Sequence, residues 1–356
     1  MSDLPLWMAL AVFVAAAAAI WVAGVQLSDQ TDVLAPRLHL GAALGGTVLL
    51  AIATNLPEIA ITASAALSGD IGTAVGNILG GIAIQTVVLV ALDAFGVRGS
   101  RPLMHRAASL VLVLNGGLVV AVLAVVIAGS QLPSDLVLAR VDPGGLLIAV
   151  LWVVGLVLMS RAGRSLPWHE SGEAPDNQER PRGHSQAQTE AQATTKGTST
   201  ARAATVFSVA ALVTLVAGVV LERSGDAIAE DIGLSGVLFG ATVLAAATSL
   251  PELSTGLTSV RKGDYQLAVS DIFGGNAFLP VLFLLATVLS GEAALPQAQG
   301  TDIYLTALGI LLTLVYMAGL IFRPQRRIAR MGIDSLVVLL LYAIGVAGLF
   351  AIAAAG

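Results

Sequence analysis

Ten apolar stretches, each long enough to cross a lipid bilayer, restrict what this 356-residue chain can fold into. A membrane-spanning helix needs about 18 or more mostly apolar residues. Only 12% of the residues are charged, whereas soluble domains carry about 25%. We therefore predict an all-α integral membrane protein with ten transmembrane helices. The predicted spans are 5–27, 38–67, 71–94, 107–129, 143–160, 203–221, 234–260, 265–290, 302–322 and 333–355.

One long polar segment, residues 161–202, separates the fifth predicted span from the sixth. Its small and polar composition cannot bury a core, so we expect a flexible linker between a first half, 1–160, and a second half, 203–356. If the amino terminus is outside, nearly all basic residues fall in cytoplasmic loops, and only Arg140 and Arg223 fall in outer loops. Both termini are then outside and the linker is cytoplasmic. The short loops favour a minimal prokaryotic protein of the cytoplasmic membrane.

An internal repeat relates the two halves. Shifting the sequence by 194 residues aligns Gly46–Gly81 with Gly240–Gly275 without a gap, and 15 of the 36 positions are identical. The first copy falls in predicted spans two and three, and the second falls in spans seven and eight. Because an odd number of spans separates them, the copies must face opposite ways across the membrane. Such an inverted repeat of five plus five helices places a transport site near the midplane, where the repeats meet.

Each copy carries a proline and a glutamate side by side inside a predicted span. A carboxylate at bilayer depth is costly and normally faces a functional cavity. The proline breaks the helix, here predicted at Leu56–Pro57 and Leu250–Pro251, and frees carbonyl oxygens. Hard cations prefer carboxylate, hydroxyl, amide and carbonyl oxygens, so we predict a cation site at the breaks. The candidate ligands there are Glu58, Glu252, Thr54, Asn55, Thr248 and Ser249.

Polar residues in predicted spans three and eight extend this candidate site. Asn77 and Asp271 occupy equivalent positions of the repeat, and Asn276 and Gln85 add two amides. Asp271 is a third carboxylate in an apolar segment, which favours multivalent or multiple cations. We predict that these four residues face the glutamates as further cation ligands.

Three other polar residues are given structural roles. Asp70 and Asp264 each follow a glycine between two predicted helices, so we predict that each caps the helix that follows. Asn115 lies in the fourth predicted span before two glycines, and we predict that it packs against a neighbouring helix.

The two copies resemble the alpha-repeats of the calcium/cation antiporter superfamily, the sodium–calcium exchangers in particular. The signature there is close to Gly-Thr-Ser-x-Pro-Glu followed by Gly-Asn-x-x-Gly-Ser-Asn, and the repeats here extend over 46–85 and 240–279. The resemblance implies exchange of Ca²⁺ for Na⁺, K⁺ or protons, with both glutamates as shared ligands. The residues that match its binding motif are Glu58, Glu252, Thr54, Thr248 and Ser249. We hypothesise alternating access, in which predicted spans one and six slide across the site.

The sequence departs from that signature around the glutamates. The departures are Ala53 and Ala247 for the first glycine, Asn55 for a serine, Gly81 and Gly275 for a hydroxyl residue, Ile82 for the closing asparagine, and Leu279 for a polar or acidic residue. Several oxygen ligands are thereby lost. The counter-ion and the selectivity for calcium are left open by these changes.

Other functions fit the sequence less well than calcium antiport. One alternative is cation/proton or sodium/proton exchange without calcium selectivity, because buried carboxylates can carry protons. An intramembrane enzyme would need an activated nucleophile or an aspartate dyad, and no serine within a span has an intramembrane histidine to activate it. A continuous channel suits inverted broken helices less well than alternating access. We expect no cofactor, and the expected partners are inorganic cations and the lipid bilayer, with no nucleic acid.

Overall fold

The computed structural model describes residues 5–37, 42–162, 197, 199–232 and 243–355, and most of them are helical. Before the predicted linker the helices are α1 (Leu6–Arg37), α2 (Ala42–Thr54), α3 (Leu56–Ser68), α4 (Ile71–Ala91, continued by a π-helical turn, Leu92–Gly96), α5 (Leu103–Ala107), α6 (Leu110–Gly129) and α7 (Pro143–Ala162). After it they are α8 (Thr200–Asp231), α9 (Ala245–Thr248), α10 (Leu250–Lys262), α11 (Tyr265–Phe278), α12 (Leu282–Ser290), α13 (Gly300–Phe322) and α14 (Ile333–Ala355). Short 3₁₀ turns cover Leu279–Val281 and Leu295–Gln297, and a two-stranded hairpin pairs β1 (Arg327–Ile328) with β2 (Met331–Gly332).

Within the described residues, eight helical runs are each long and apolar enough to cross a membrane, and the bent pair α2–α3 would make a ninth. The two members of that pair meet at 55°. The seventh predicted span, 234–260, begins outside the described residues, and its described part forms α9 and α10. Most of the predicted linker, 161–202, also lies outside them.

Helices α1 and α8 are longer than the sequence predicts. Each has 32 residues, so they continue past the predicted ends at 27 and 221. The prediction followed hydropathy, which falls where polar residues begin, whereas backbone hydrogen bonding continues through residues that tolerate a helix. Arg37 and Arg223 therefore lie within helices, beyond the predicted ends of these two spans.

The helix breaks lie slightly earlier than predicted. Helix α2 ends at Thr54, Asn55 forms the turn, and α3 begins at Leu56 with the proline as its second residue. Ser249 forms the equivalent turn before α10, and its backbone angles (φ −81°, ψ 4°) closely match those of Asn55 (φ −87°, ψ 14°). Proline is tolerated in a first turn, where N–H groups have no helical partner, so the chain breaks before it.

The turns that follow α3 and α10 are also alike. Gly69 and Gly263 take the left-handed conformation, with φ of 82° and 89°. The next residue caps the following helix in each copy, because Asp70 Oδ1 accepts from the Thr73 N–H at 3.1 Å and Asp264 Oδ1 accepts from that of Leu267 at 3.0 Å. The predicted capping roles are confirmed.

Two tight turns with the sequence Ala-Arg show the same similarity outside the aligned segment. Ala139-Arg140 joins α6 to α7, Ala329-Arg330 joins β1 to β2, and all four residues have positive φ. The Arg140 guanidinium donates to the carbonyl oxygen of Val288 at 3.2 Å, and that of Arg330 donates to the carbonyl oxygen of Ala94 at 3.1 Å. The two acceptors are 194 residues apart. Each Ala-Arg turn therefore caps a helix that belongs to the other copy of the repeat.

The helices form two packing units. Helices α1 and α8 pack along each other and reach the other helices mainly through α2, α3, α9 and α10. The remaining helices surround α4 and α11, which are the most deeply buried of the described spans. The broken helices thus lie between the α1–α8 pair and the main core, and this arrangement positions the site.

Candidate cation-binding site

The two glutamates lie in the first turns of α3 and α10, directly after the prolines. Their side chains are 0% and 1% exposed. Gln85 of α4 lies between them, because its Nε2 is 3.4 Å from Oε1 of Glu58 and 3.4 Å from Oε1 of Glu252. One amide group therefore contacts carboxylates from both copies of the repeat.

Each glutamate keeps one carboxylate oxygen without a donor. Oε2 of Glu58 and Oε2 of Glu252 are buried and have no hydrogen-bond partner among the described residues. The threonine of the opposite copy lies beside each carboxylate, Thr248 beside Glu58 and Thr54 beside Glu252. An uncompensated buried carboxylate is costly by several kcal/mol, on the order expected for a desolvated ion. The arrangement is therefore suited to a cation or to protons.

The hydroxyl groups at the breaks use their hydrogens within their own helix. Thr54 Oγ1 donates to the Leu50 carbonyl oxygen at 3.1 Å. Thr248 Oγ1 and Ser249 Oγ donate to the Ala245 carbonyl oxygen at 3.2 and 2.8 Å. A hydroxyl whose hydrogen is used in this way still has lone pairs to offer. These three oxygens can accordingly act as cation ligands.

Asn55 connects the first break to Gln85. Its Nδ2 donates to the Ala51 carbonyl oxygen at 2.7 Å, and its Oδ1 accepts from Gln85 Nε2 at 3.1 Å. The same Nδ2 lies 2.7 Å from the point where a Cβ on Gly275 would stand. The Asn55 amide thus occupies space that a hydroxyl residue at position 275 would need. The asparagine at 55 and the glycine at 275 form one coupled departure from the exchanger signature.

Asp271 of α11 is the third buried carboxylate, and it lies next to the second break. It is 1% exposed, and its Oδ2 accepts from Thr255 Oγ1 of α10 at 3.0 Å. Its Oδ1 has no hydrogen-bond partner among the described residues. The Asp271 carboxylate also lies close enough to Thr54 and Glu252 to interact with both electrostatically. Asn77, its counterpart in α4, is also buried, and both of its amide atoms lack a partner in the described part of the chain. No hydrogen bond thus joins Asn77 to a described glutamate.

Two further asparagines connect helices. Asn276 Nδ2 donates to Thr86 Oγ1 at 2.9 Å, which joins α11 to α4, while its buried Oδ1 has no partner among the described side chains and backbone groups. Asn115 Nδ2 reaches the Ser270 carbonyl oxygen at 3.5 Å, which agrees with the predicted packing role.

The second copy lacks an equivalent of the Gln85 amide. Leu279 stands at that position of the repeat, is 0% exposed, and lies 3.6 Å from where a Cβ on Gly81 would stand. In the described part of the chain, no group of three or more His, Cys, Asp or Glu side chains could hold a metal ion. A cation here would therefore depend on two carboxylates together with neutral oxygens.

Sequence reasoning missed three hydroxyl residues near the site. Thr255 bonds Asp271, Thr86 bonds Asn276, and Thr62 is 0% exposed with a hydroxyl that has no partner among the residues described. Thr62 follows Glu58 by four residues and Thr255 follows Glu252 by three. Residues three or four apart share a face of a helix, so the spacing from each glutamate could have identified Thr62 and Thr255 in the sequence.

A helical membrane protein with two matching broken helices and a buried carboxylate pair has the construction of a secondary antiporter. The family described as "Sodium/calcium exchanger protein" matches residues 8–168 and 202–351. The chain belongs to this family and is a transmembrane antiporter that transports inorganic cations.

The chain is also similar to individual proteins and solved structures. The inner membrane protein YrbG of Escherichia coli (strain K12) is 29% identical over 265 residues, which cover 72% of each chain. The structure of the H⁺/Ca²⁺ exchanger CAX is similar with a TM-score of 0.64 at 14% identity, covering 94% of this chain and 81% of that one. The sodium–calcium exchanger NCX_Mj gives a TM-score of 0.62 at 17% identity, covering 96% and 99%. The two structures show a shared fold.

Proposed function

We propose that the protein exchanges Ca²⁺ for Na⁺ or protons across a prokaryotic cytoplasmic membrane, at one site between Glu58 and Glu252. The observation that carries this proposal is the Gln85 amide, which lies 3.4 Å from both carboxylates. Two ionised carboxylates match the charge of one divalent cation. Ca²⁺ accepts six to eight oxygens at about 2.3–2.6 Å, so neutral ligands must complete its shell.

The neutral ligands come from the residues around the breaks. The hydroxyls of Thr54, Thr248 and Ser249 donate within their own helices and keep lone pairs for a cation. The remaining proposed neutral ligands are the amide oxygens of Asn55, Gln85, Asn77 and Asn276, and Asp271 is proposed as a further, charged ligand beside Glu252. Proline also leaves the carbonyl oxygen four residues before it without its helical donor, which supplies one further oxygen at each break.

Alternating access follows from the two packing units. A bound cation or bound protons neutralise the carboxylates, so the α1–α8 pair can cover the site at low cost. An empty site with two ionised carboxylates resists closure, because moving uncompensated charge out of water is expensive. This difference couples the two ion movements and suppresses leak.

One observation favours protons over sodium as the counter-ion. Leu279, Gly81 and Gly275 offer no side-chain oxygen at positions where the exchanger signature has polar ones. Several sodium ions bound together need many oxygens, whereas a proton needs only the carboxylate itself. Protons are accordingly the favoured counter-ion, and the second candidate function is cation/proton or sodium/proton exchange without calcium selectivity.

The test is uptake of labelled calcium into proteoliposomes under an imposed sodium, potassium or proton gradient. We expect uptake under at least one gradient, and its loss in Glu58→Gln and Glu252→Gln. Glu292→Gln is the matched control, because Glu292 is an exposed glutamate in the loop after α12. Unchanged uptake in both site variants would refute the two-glutamate site. Absence of calcium uptake under every gradient would leave proton-coupled exchange of another cation, measured with a pH-sensitive dye.

A further inference from the structure

Two glycines of the α1–α8 pair lie against the two prolines at the helix breaks. A Cβ on Gly24 of α1 would stand 3.0 Å from both Cα and Cβ of Pro251. A Cβ on Gly218 of α8 would stand 3.1 Å from Cα and 3.3 Å from the carbonyl oxygen of Pro57. Each helix therefore packs through the backbone of its glycine against one of the two helix breaks, α1 against the break before Glu252 and α8 against the break before Glu58.

These two contacts are related by the repeat. Gly24 and Gly218 are 194 residues apart, as are the two prolines, and each glycine lies in a Val-Ala-Gly-Val segment, 22–25 or 216–219. Helices α1 and α8 also begin and end 194 residues apart. The similarity of the two copies therefore includes the helix pair and its contact with the site.

We propose that Gly24 and Gly218 are positioning residues, each of which holds one helix of the α1–α8 pair against one break and so sets how readily that break opens. The proposal rests on the proposed alternating access. A backbone without Cβ lets each helix move along the proline surface without a side chain that must be displaced. The two contacts are nearly equal in length, so the two helices approach their breaks equally closely. A methyl group on one glycine would lift only one helix from one break.

The neighbouring alanines offer a way to detect such movement. Ala53 and Ala247 are related by the repeat, precede the breaks, and are 2% and 8% exposed. Each packs in an apolar cluster with residues of both α1 and α8. The chain contains no cysteine, so a cysteine introduced at either position is a unique reporter.

The experiment measures the labelling rate of Ala53→Cys and Ala247→Cys by a charged maleimide in lipid nanodiscs, where both faces are accessible. Gly24→Ala should raise the rate of the reporter at 247 about fivefold, the population change that mild overpacking produces. It should leave the reporter at 53 unchanged within about twofold. Gly218→Ala should do the reverse, and the double variant should raise both rates.

The control is Gly117→Ala, because a Cβ there would have its nearest neighbour at 4.0 Å. The unaffected reporter in each glycine variant also shows that the protein is folded. Equal acceleration of both reporters by one substitution, or no acceleration by either, would overturn the proposal. Labelling requires no transport, so wild-type protein without calcium flux but with crossed labelling would reject the proposed function and support this inference.

Discussion

Gly275 lies so close to Asn55 that adding one methyl group there tests the geometry of the site. In Gly275→Ala the new Cβ would stand 2.7 Å from Asn55 Nδ2, roughly 0.7 Å short of ordinary van der Waals contact. The amide must move and lose its bonds to the Ala51 carbonyl oxygen and to Gln85. Each buried hydrogen bond contributes about 1 kcal/mol. If that loss appears in ion binding, calcium affinity should fall about 30-fold.

The assay is calorimetric titration of calcium into purified protein, with three partner variants. Asn55→Ser removes the colliding amide together with its two hydrogen bonds, so adding it to Gly275→Ala should cause little further loss of affinity. The resulting double-mutant cycle should give a coupling energy of at least about 1 kcal/mol. Gly274→Ala is the control, because its Cβ would stand 3.6 Å from that of Ala51, an ordinary contact.

Two results would refute this account of the site. Wild-type affinity in Gly275→Ala would show that the Asn55 amide can move without consequence for the ion. Losses that simply add in the double variant would show that Asn55 is not the obstructing group. Either result would mean that positions 55 and 275 depart from the exchanger signature independently of one another.

Three other expectations can be measured. Leu279→Gln adds an amide at the position equivalent to Gln85, so sodium-driven calcium uptake should rise severalfold; unchanged sodium dependence would contradict the proposed effect of the missing ligand. Asp264→Ala removes the cap of α11 and should cost about 1 kcal/mol of stability, seen as a lower Tm. Burial lowers the pKa of His105, so the unfolded chain binds its proton first, and Tm should fall between pH 7 and 5 less in His105→Gln than in wild type.

The sequence predicted the parts of the fold that depend on local chemistry. A proline inside a predicted span predicted the two breaks, and a glycine followed by an aspartate predicted the caps of α4 and α11. The last predicted span coincides with α14 (Ile333–Ala355). The breaks were misplaced by about one residue, because proline favours the first turn of the next helix and not the break itself.

Features that depend on tertiary contact could not be predicted. Gln85 was only one of several candidate ligands, and its position between the glutamates depends on how α4 packs against α3 and α10. The Ala-Arg turns could not be predicted from the sequence. Their four residues have positive φ, but none of them is glycine, the residue that favours this backbone conformation. Arg140 and Arg330 stabilise these turns through carbonyl groups far away in sequence.

The Ala-Arg turns make the two predicted halves of the chain depend on one another during assembly. Arg140, in the first half, satisfies carbonyl groups at the end of α12 in the second. Arg330, in the second half, satisfies one at the end of the helix that begins with α4 in the first. A half synthesised alone would leave these carbonyl groups without their arginine donors. Two separately expressed halves should therefore be stable only when they associate with each other.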